Sequence, residues 1–160
     1  MSISSFSTYH SVDRHRTQLA TKVLNLSTYF VDTLRPQLAS IPCSILSLLP
    51  HLKQQAEPQS ISHYATLPSP IIAILTAYPR PLFAFLYSRG MNARPITWPT
   101  VPKGKDRVRV CLHAGNTWAE VDGLVEAIME WAGEMLAQRQ NKMREEEEGR
   151  AVRVSLESKL

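Results

Sequence analysis

The sequence predicts an α+β protein in which three or four strands, mostly antiparallel, form a small sheet with helices packed on one face. One strand is predicted from Ile71–Leu75, a compact apolar run that lies between a proline and a threonine. A second is predicted from Arg107–Leu112, where polar and apolar residues alternate. The helices are predicted from apolar residues at three- and four-residue spacing. They cover residues 12–35, 81–89 and 117–140.

The alternating strand assigns its side chains to two faces. Successive side chains of an extended chain point to opposite sides of a sheet. Val108 and Val110 therefore belong to the core face, whereas Arg107, Arg109 and Cys111 point away from it. A guanidinium on that second face suits carboxylate binding, because its planar fork matches two oxygens and keeps its charge near neutral pH. An exposed edge strand with solvated arginines has the same spacing, so spacing alone leaves both interpretations open.

Proline, glycine and serine mark the limits of the other elements. Helical spacing begins at Ser11 and ends near Pro36, and Ser44–Leu49, between two prolines, is a candidate edge strand. Pro81 can occupy the first turn of its helix, and Gly90 can close that helix in the left-handed conformation. The apolar positions of the first helix are Leu19, Val23, Phe30 and Leu34.

The C-terminal helix has the clearest start. Thr117 and Glu120 have the spacing of a capping box, in which each side chain bonds the backbone amide of the other residue. From Gln138 the chain becomes highly polar, and the like charges of Glu145–Glu148 predict a frayed, solvated end. The predicted organisation is therefore a disordered start at residues 1–10, one domain at 11–140 and a charged tail at 141–160.

Composition excludes several classes of protein. The chain has 160 residues and a net charge of +4, which would favour anionic ligands, but it has no nucleic-acid-binding signature. Its two cysteines, Cys43 and Cys111, without a signal peptide predict reduced thiols in an intracellular protein. The most apolar run, Ile71–Tyr87, contains Arg80 and two prolines and is too short to span a membrane.

Short motifs occur in a fixed order along the chain. They are Ser69-Pro70-Ile71 before a strand, Ser88-Arg89-Gly90 at a helix end, Pro99-Thr-Val-Pro102, the Lys103-Gly104 turn, and Arg107-Val-Arg109 followed by Ala114 and Thr117. In this order they resemble the C-terminal, small domain of the α-oxoamine synthases, which are pyridoxal-phosphate (PLP) enzymes of the aminotransferase class I/II superfamily. The resemblance covers roughly residues 12 to 137, and fungal members of the biotin pathway are nearest in kind.

The resemblance implies a fold, a reaction and two substrate-binding residues. The fold is that of the C-terminal domain of fold-type I PLP enzymes. The reaction is an acyl transfer in which an amino acid condenses with an acyl-CoA and loses carbon dioxide. Arg109 would grip the amino-acid carboxylate, and Thr100 would contact substrate from an active-site loop. Arg107 would be structural or face solvent.

The motif that carries the imine-forming lysine in this family is absent. The lysines stand in other contexts, at Lys22, Lys53, Lys103, Lys105, Lys142 and Lys159. We therefore expect a fragment of such a transferase that is inactive alone, contributes no catalytic residue of its own and does not bind PLP by itself. The alternative is a non-catalytic peroxisomal protein that keeps the fold as a binding or dimer-modulating module.

The sequence finishes with Ser158-Lys159-Leu160, the tripeptide that the peroxisomal import receptor reads. This predicts a peroxisomal location, with the cytoplasm as the alternative. The sheet face opposite the helices is expected to be exposed, which would favour association into a homo-oligomer.

Overall fold

The computed structural model describes residues 5–53 and 69–157, with side-chain burial for 15–53 and 69–150. It has four α-helices and four strands in this part of the chain. In chain order the elements are α1 (Ser5–Gln37), a short 3₁₀ turn (Leu38–Ser40), β1 (Ser47–Leu48), α2 (Pro50–Lys53), β2 (Ile71–Leu75), α3 (Pro79–Ser88), β3 (Arg94–Ile96), β4 (Arg107–Cys111) and α4 (Trp118–Glu157). The predicted α+β class is confirmed.

The four strands form one antiparallel sheet in the order β1-β2-β4-β3. The predicted edge strand at 44–49 is present as the two-residue β1. The opposite edge is β3, where Pro95 lies across from Val108 and has no amide hydrogen to donate. β4 lies between β2 and β3. The alternative of an exposed edge strand for Arg107–Leu112 is therefore wrong.

The helices cover one face of this sheet. Val108 and Val110 of β4 are buried with Ile72 and Ile74 of β2, whereas the alternate residues of both strands are at least partly exposed. From the helices, the core receives Leu26, Phe30, Leu34, Leu82, Leu86, Val121, Val125, Ile128 and Trp131. Because side chains alternate along β4, its valines face the helices and its arginines face the opposite side of the sheet.

The ends of α1 and α4 differ from their predicted limits. α1 begins at Ser5 rather than Ser11, and Leu19 is 40% exposed instead of being in the core. α4 continues through Glu157, so the predicted fraying after Gln138 is wrong, although residues 137–150 are exposed as expected. Glutamate, arginine and lysine are strong helix formers, and Lys142 pairs with Glu146 one turn away. These preferences outweigh the repulsion within the glutamate run.

Two predicted helix caps are confirmed. Gly90 has a φ of +77°, and the amides of Gly90 and Met91 donate to the carbonyls of Tyr87 and Leu86 at the end of α3. At the start of α4, the Glu120 amide donates to Thr117 Oγ1 at 3.2 Å, and the Thr117 amide donates to Glu120 Oε2 at 2.7 Å. α4 therefore starts where the capping box predicts.

The two leucines of α1 provide a matched test of the core. Leu26 is 0% exposed and Leu19 is 40% exposed. Leu26→Ala should lower the free energy of unfolding by roughly 2–5 kcal/mol, because it leaves a cavity in the core. Leu19→Ala should change it by no more than about 0.5 kcal/mol. Urea unfolding followed by circular dichroism measures both values, and equal effects of the two substitutions would contradict the packing of α1.

The capping box should make stability depend on pH. The Thr117 amide that donates to Glu120 lowers the pKa of this carboxyl, and Asn116 adds to the effect. The stabilisation is therefore complete above the ordinary glutamate pKa and is lost as the pH falls through the lower pKa of the folded state. Glu120→Gln keeps an acceptor without the charge.

We expect wild type to exceed Glu120→Gln in stability near neutral pH, with a difference that shrinks below about pH 4. Urea midpoints measured across this range check the expectation. A difference that stays constant with pH would show that the carboxylate charge contributes nothing to the cap.

Candidate functional site

The face of the sheet away from the helices is called here the open face, and it consists of residues 71, 73 and 75 of β2, 107, 109 and 111 of β4, and 94 and 96 of β3. Arg94, Arg109 and Cys111 are exposed on it, and so is 55% of Ile71. Sequence reasoning predicted this orientation for Arg109 and Cys111, and β4 has it. The open face combines cationic side chains with apolar ones.

Arg109 lies between two neighbouring strands of the sheet. Its Cα partners are Ala73 on β2 and Arg94 on β3. Because Pro95 cannot donate, the adjacent Arg94 and Arg109 must be the pair that exchanges amide hydrogen bonds. On the other side, the Leu112 amide donates to the Pro70 carbonyl at 2.8 Å and continues the ladder with β2. The backbone that carries Arg109 is thus fixed within the sheet.

The guanidinium of Arg109 makes no hydrogen bond or ion pair with any residue that the structure describes. Arg107 differs: it is half-buried, and its Nε donates to the Lys105 carbonyl at 3.0 Å. This contact agrees with the structural role expected for Arg107. Of the two arginines of the motif, Arg109 is the more exposed and the one whose guanidinium makes no contact with the described residues.

Thr100 lies in a tightly turned loop between β3 and β4. The Trp98–Pro99 peptide bond is cis, and the Thr100 amide donates to the Thr97 carbonyl at 3.0 Å. Thr100 itself is exposed. The predicted turn at Lys103-Gly104 is confirmed, since Gly104 has a φ of +75°. The loop therefore presents Thr100 to solvent from a defined backbone.

Sequence reasoning missed the residue that ties this loop to the sheet. Asp106 accepts the Trp98 amide on Oδ1 at 3.2 Å, and its carbonyl accepts the Thr76 amide at 3.1 Å. It thus joins the start of the loop to both inner strands. Aspartate often bonds nearby backbone amides at turns, and this preference could have indicated the role of Asp106 from the sequence.

A groove lies beside the open face, not on it. It has a volume of about 710 Å³ and runs between the end of β4, the loop after α3 and the first turns of α4. Arg109 does not line it, whereas Cys111 borders both features. Its polar groups serve local structure: His113 Nδ1 accepts the Gly115 amide at 3.2 Å, and Asn116 Oδ1 accepts the His113 amide at 2.9 Å. We therefore place the candidate site at Arg109 and not in the groove.

An ion pair fixes α3 to α4 at the rim of this groove. Arg89 Nη2 donates to Glu130 Oε1 at 2.6 Å. The hydrogen bond from Arg89 lowers the pKa of Glu130, and the same bond raises the pKa of Arg89. A second link joins α1 to α4, where the Tyr29 hydroxyl donates to Asp122 Oδ1 at 2.6 Å and this bond raises the tyrosine pKa. These contacts are structural.

The described lysines do not fit the imine of a PLP enzyme. Such a lysine reacts as a free amine in an enclosed pocket. None of the described lysines lines the groove of about 710 Å³, and Lys53 lines a smaller pocket of about 160 Å³. Lys22 donates to the Ala114 carbonyl at 2.7 Å, and Lys53 lies at an exposed site 3.8 Å from Cys43 Sγ. Lys103 and Lys105 are in the exposed turn, and Lys142 is exposed on α4.

Other site types find little support within residues 5–53 and 69–157. No group of three or more potential metal ligands occurs there, and no helix there is long and apolar enough to cross a membrane. Cys43 and Cys111 are both free and exposed. The targeting residues Ser158, Lys159 and Leu160 lie outside the described residues.

No protein-family model matches the chain. Curated proteins do match parts of it. An 8-amino-7-oxononanoate synthase of Emericella nidulans is 47% identical over 79 residues, which are 49% of this chain and 19% of that protein. The aminoacyl transferase sphA of Aspergillus fumigatus is 49% identical over 55 residues, 34% of this chain and 12% of that protein.

A bacterial protein adds to these two. An 8-amino-7-oxononanoate synthase of Anaeromyxobacter dehalogenans is 47% identical over 47 residues, 29% of this chain and 12% of that protein. The chain thus spans about a fifth or less of the length of these relatives. The resemblance predicted from the motifs is confirmed: this chain contains a segment related to the PLP-dependent acyltransferases of the α-oxoamine synthase type.

Proposed function

We propose that this chain supplies the carboxylate-binding part of a PLP-dependent acyltransferase that condenses an amino acid with an acyl-CoA and releases carbon dioxide. The observation that carries the proposal is Arg109, a guanidinium without a partner among the described residues, fixed on an inner strand of the sheet. A bidentate pair with a carboxylate would hold the substrate in one orientation. The names of the relatives support the class of reaction.

Thr100 supports Arg109 from the neighbouring loop in this proposal. Its hydroxyl can both donate and accept, so it can bond a polar group of the substrate. Asp106 holds the loop by its bond to the Trp98 amide. Together, the strand and the loop would orient the amino acid. PLP would supply the electron sink, and sequence other than the described residues would hold it. Since those residues offer no lysine that fits the imine, we propose that the chain alone is inactive.

We further propose that the pathway is biotin synthesis. Two of the relatives are named 8-amino-7-oxononanoate synthase, whereas the third is an aminoacyl transferase, so the choice of acyl donor rests on these names alone. We further propose a peroxisomal location, based on Ser158-Lys159-Leu160. Association into a homo-oligomer through the open face is proposed from the exposed Ile71.

The absence of a suitable lysine in the described residues also favours a second candidate function. A non-catalytic peroxisomal module could keep the sheet and Arg109 for binding a carboxylate ligand, or could modulate the dimer of a related enzyme. The two candidates differ in one respect that can be measured. The first requires this sequence to act with a catalytic lysine, and the second does not.

The experiment that tests the enzyme proposal starts from the native protein. An antibody against this chain should isolate a polypeptide or complex whose mass is far greater than 18.0 kDa. This species should release CoA when an amino acid and an acyl-CoA are added. Arg109→Gln should lower kcat/KM roughly a hundredfold, because about 3 kcal/mol is lost with two charge-assisted hydrogen bonds. The same antibody tests the location when it is applied to a peroxisome-enriched fraction.

Arg80→Gln is the matched control, since Arg80 is exposed on α3 and has no role in the proposal. An active species in which Arg109→Gln behaves like Arg80→Gln would contradict the role of Arg109. An 18.0 kDa native species without CoA release would favour the non-catalytic candidate. A stable, stoichiometric imine absorbance of the purified chain with PLP would contradict the proposal that it cannot bind PLP alone.

A further inference from the structure

A thiol and an amine lie close together beside β1, at the edge of the sheet opposite β3. Lys53 Nζ lies 3.8 Å from Cys43 Sγ, and both residues are exposed. Cys43 precedes β1 in the sequence and Lys53 ends the short helix that follows it. Sequence reasoning missed this pair, because the contact depends on how the chain folds back around β1.

The backbone on both sides of this pair is anchored. The Ile45 amide donates to the Pro42 carbonyl at 2.8 Å, which turns the chain at the cysteine, and the Ile45 side chain is buried in the core. On the lysine side, the Leu52 carbonyl accepts a hydrogen bond from Arg35 Nε of α1 at 2.9 Å. The core and α1 therefore hold the two segments that carry the thiol and the amine.

Both side chains line the same small pocket. The pocket has a volume of about 160 Å³, and most of its other lining residues are apolar. A space of this size accommodates a molecule as small as hydrogen peroxide. Arg35 also lines the pocket, but its guanidinium pairs with Asp32 at 2.8 Å. Lys53 makes no ion pair with the residues that the structure describes, so its amine faces the thiol without a competing carboxylate there.

The surroundings of Cys43 are those of a thiol that reacts with oxidants. Such cysteines are solvent-accessible and lie beside cationic side chains. Cys43 is exposed, and the cation beside it also carries a nucleophilic nitrogen. Cys111 is exposed as well, but no hydrogen bond joins it to a lysine among the described residues. The chain therefore contains a matched pair of thiols, one with an amine neighbour and one without.

We propose that Cys43 and Lys53 form a reversible sulfur–nitrogen cross-link when hydrogen peroxide oxidises the thiol. The sulfur attacks one peroxide oxygen, so that an S–O bond forms, the O–O bond breaks and the other oxygen leaves as water with the thiol proton. The amine, having lost its ammonium proton to solvent, then attacks the sulfur of this sulfenic acid. An S–N bond forms, the S–O bond breaks, and the oxygen leaves as a second water with one amine proton.

The sulfur loses two electrons in this sequence, and the peroxide gains them. A thiol reductant reverses the link, because its sulfur attacks that of Cys43 and releases the amine, and a second thiol then frees Cys43. The cross-link closes the loop that contains β1. It would therefore restrict this edge of the sheet under oxidising conditions and release it under reducing ones.

The test uses the full chain with Cys111→Ser, so that Cys43 is the one remaining thiol. The protein is treated with one equivalent of hydrogen peroxide at mildly alkaline pH and analysed by intact-mass spectrometry and peptide mapping. Its mass should fall by about 2 Da, for the loss of two hydrogen atoms. A peptide pair joined through residues 43 and 53 should appear, and dithiothreitol should restore the starting mass.

Lys53→Arg keeps the positive charge but removes the nucleophilic amine. In this variant the cross-link should be lost, and dimedone, which reacts with sulfenic acids, should label Cys43 instead. Lys105→Arg, in the exposed turn, is the matched control and should leave the cross-link unchanged.

Oxidation of Cys43 that stops at the sulfenic acid, or continues to the sulfinic acid, without a cross-link in the presence of Lys53 would overturn the proposal. A cross-link that persists in Lys53→Arg would do the same. Cys43→Ser, which leaves Cys111 as the thiol, should give oxidised cysteine without a lysine link, and an equal yield of such a link would contradict the role of the pocket. Unchanged circular dichroism before oxidation shows that each variant is folded.

Discussion

The register between β2 and β4 is the constraint on which the other features depend. It places Ile72 opposite Val110 and Ile74 opposite Val108, so that four apolar side chains enter the core together. A shift by one residue would turn the valines to solvent and bury the arginines without partners. The same register that forms the core therefore also determines which way Arg109 points.

The helices complete this asymmetry. α1, α3 and α4 bury their apolar sides against one face of the sheet, and the Arg89–Glu130 and Tyr29–Asp122 contacts keep them in place. The open face is left with exposed arginines beside apolar side chains. Carboxylate recognition and association with other protein surfaces would both use it.

Local patterns were enough to predict most of the elements. Alternation in Arg107–Leu112, the apolar run Ile71–Leu75, the glycine after α3 and the capping box at Thr117 each depend on neighbouring residues, and each is confirmed. The position of β4 inside the sheet could not be predicted in this way, because it depends on pairing with a three-residue strand that contains a proline. Without that pairing, Arg94 is an ordinary surface residue.

Two other differences have local physical reasons. Leu19 fits the helical period of α1, but the period does not reveal where a long helix leaves the core, and here that segment is exposed. The glutamate run was expected to fray α4, whereas the helix preferences of its residues prevail and the helix extends over 40 residues, about 60 Å. The binding roles of Arg109 and Thr100 stay predictions, since they concern a ligand and not the fold.

Hydrogen exchange at the Arg109 amide tests most directly whether this arginine is presented from within the sheet. The amide is expected to bond the Arg94 carbonyl, so it should exchange nearly as slowly as the Val108 and Val110 amides, which face β2. The Lys103 amide, in the exposed turn, provides the fast reference. Protection of Arg109 comparable to that of the valines is the predicted result. Exchange as fast as that of Lys103 would contradict it and remove the structural basis for the carboxylate site.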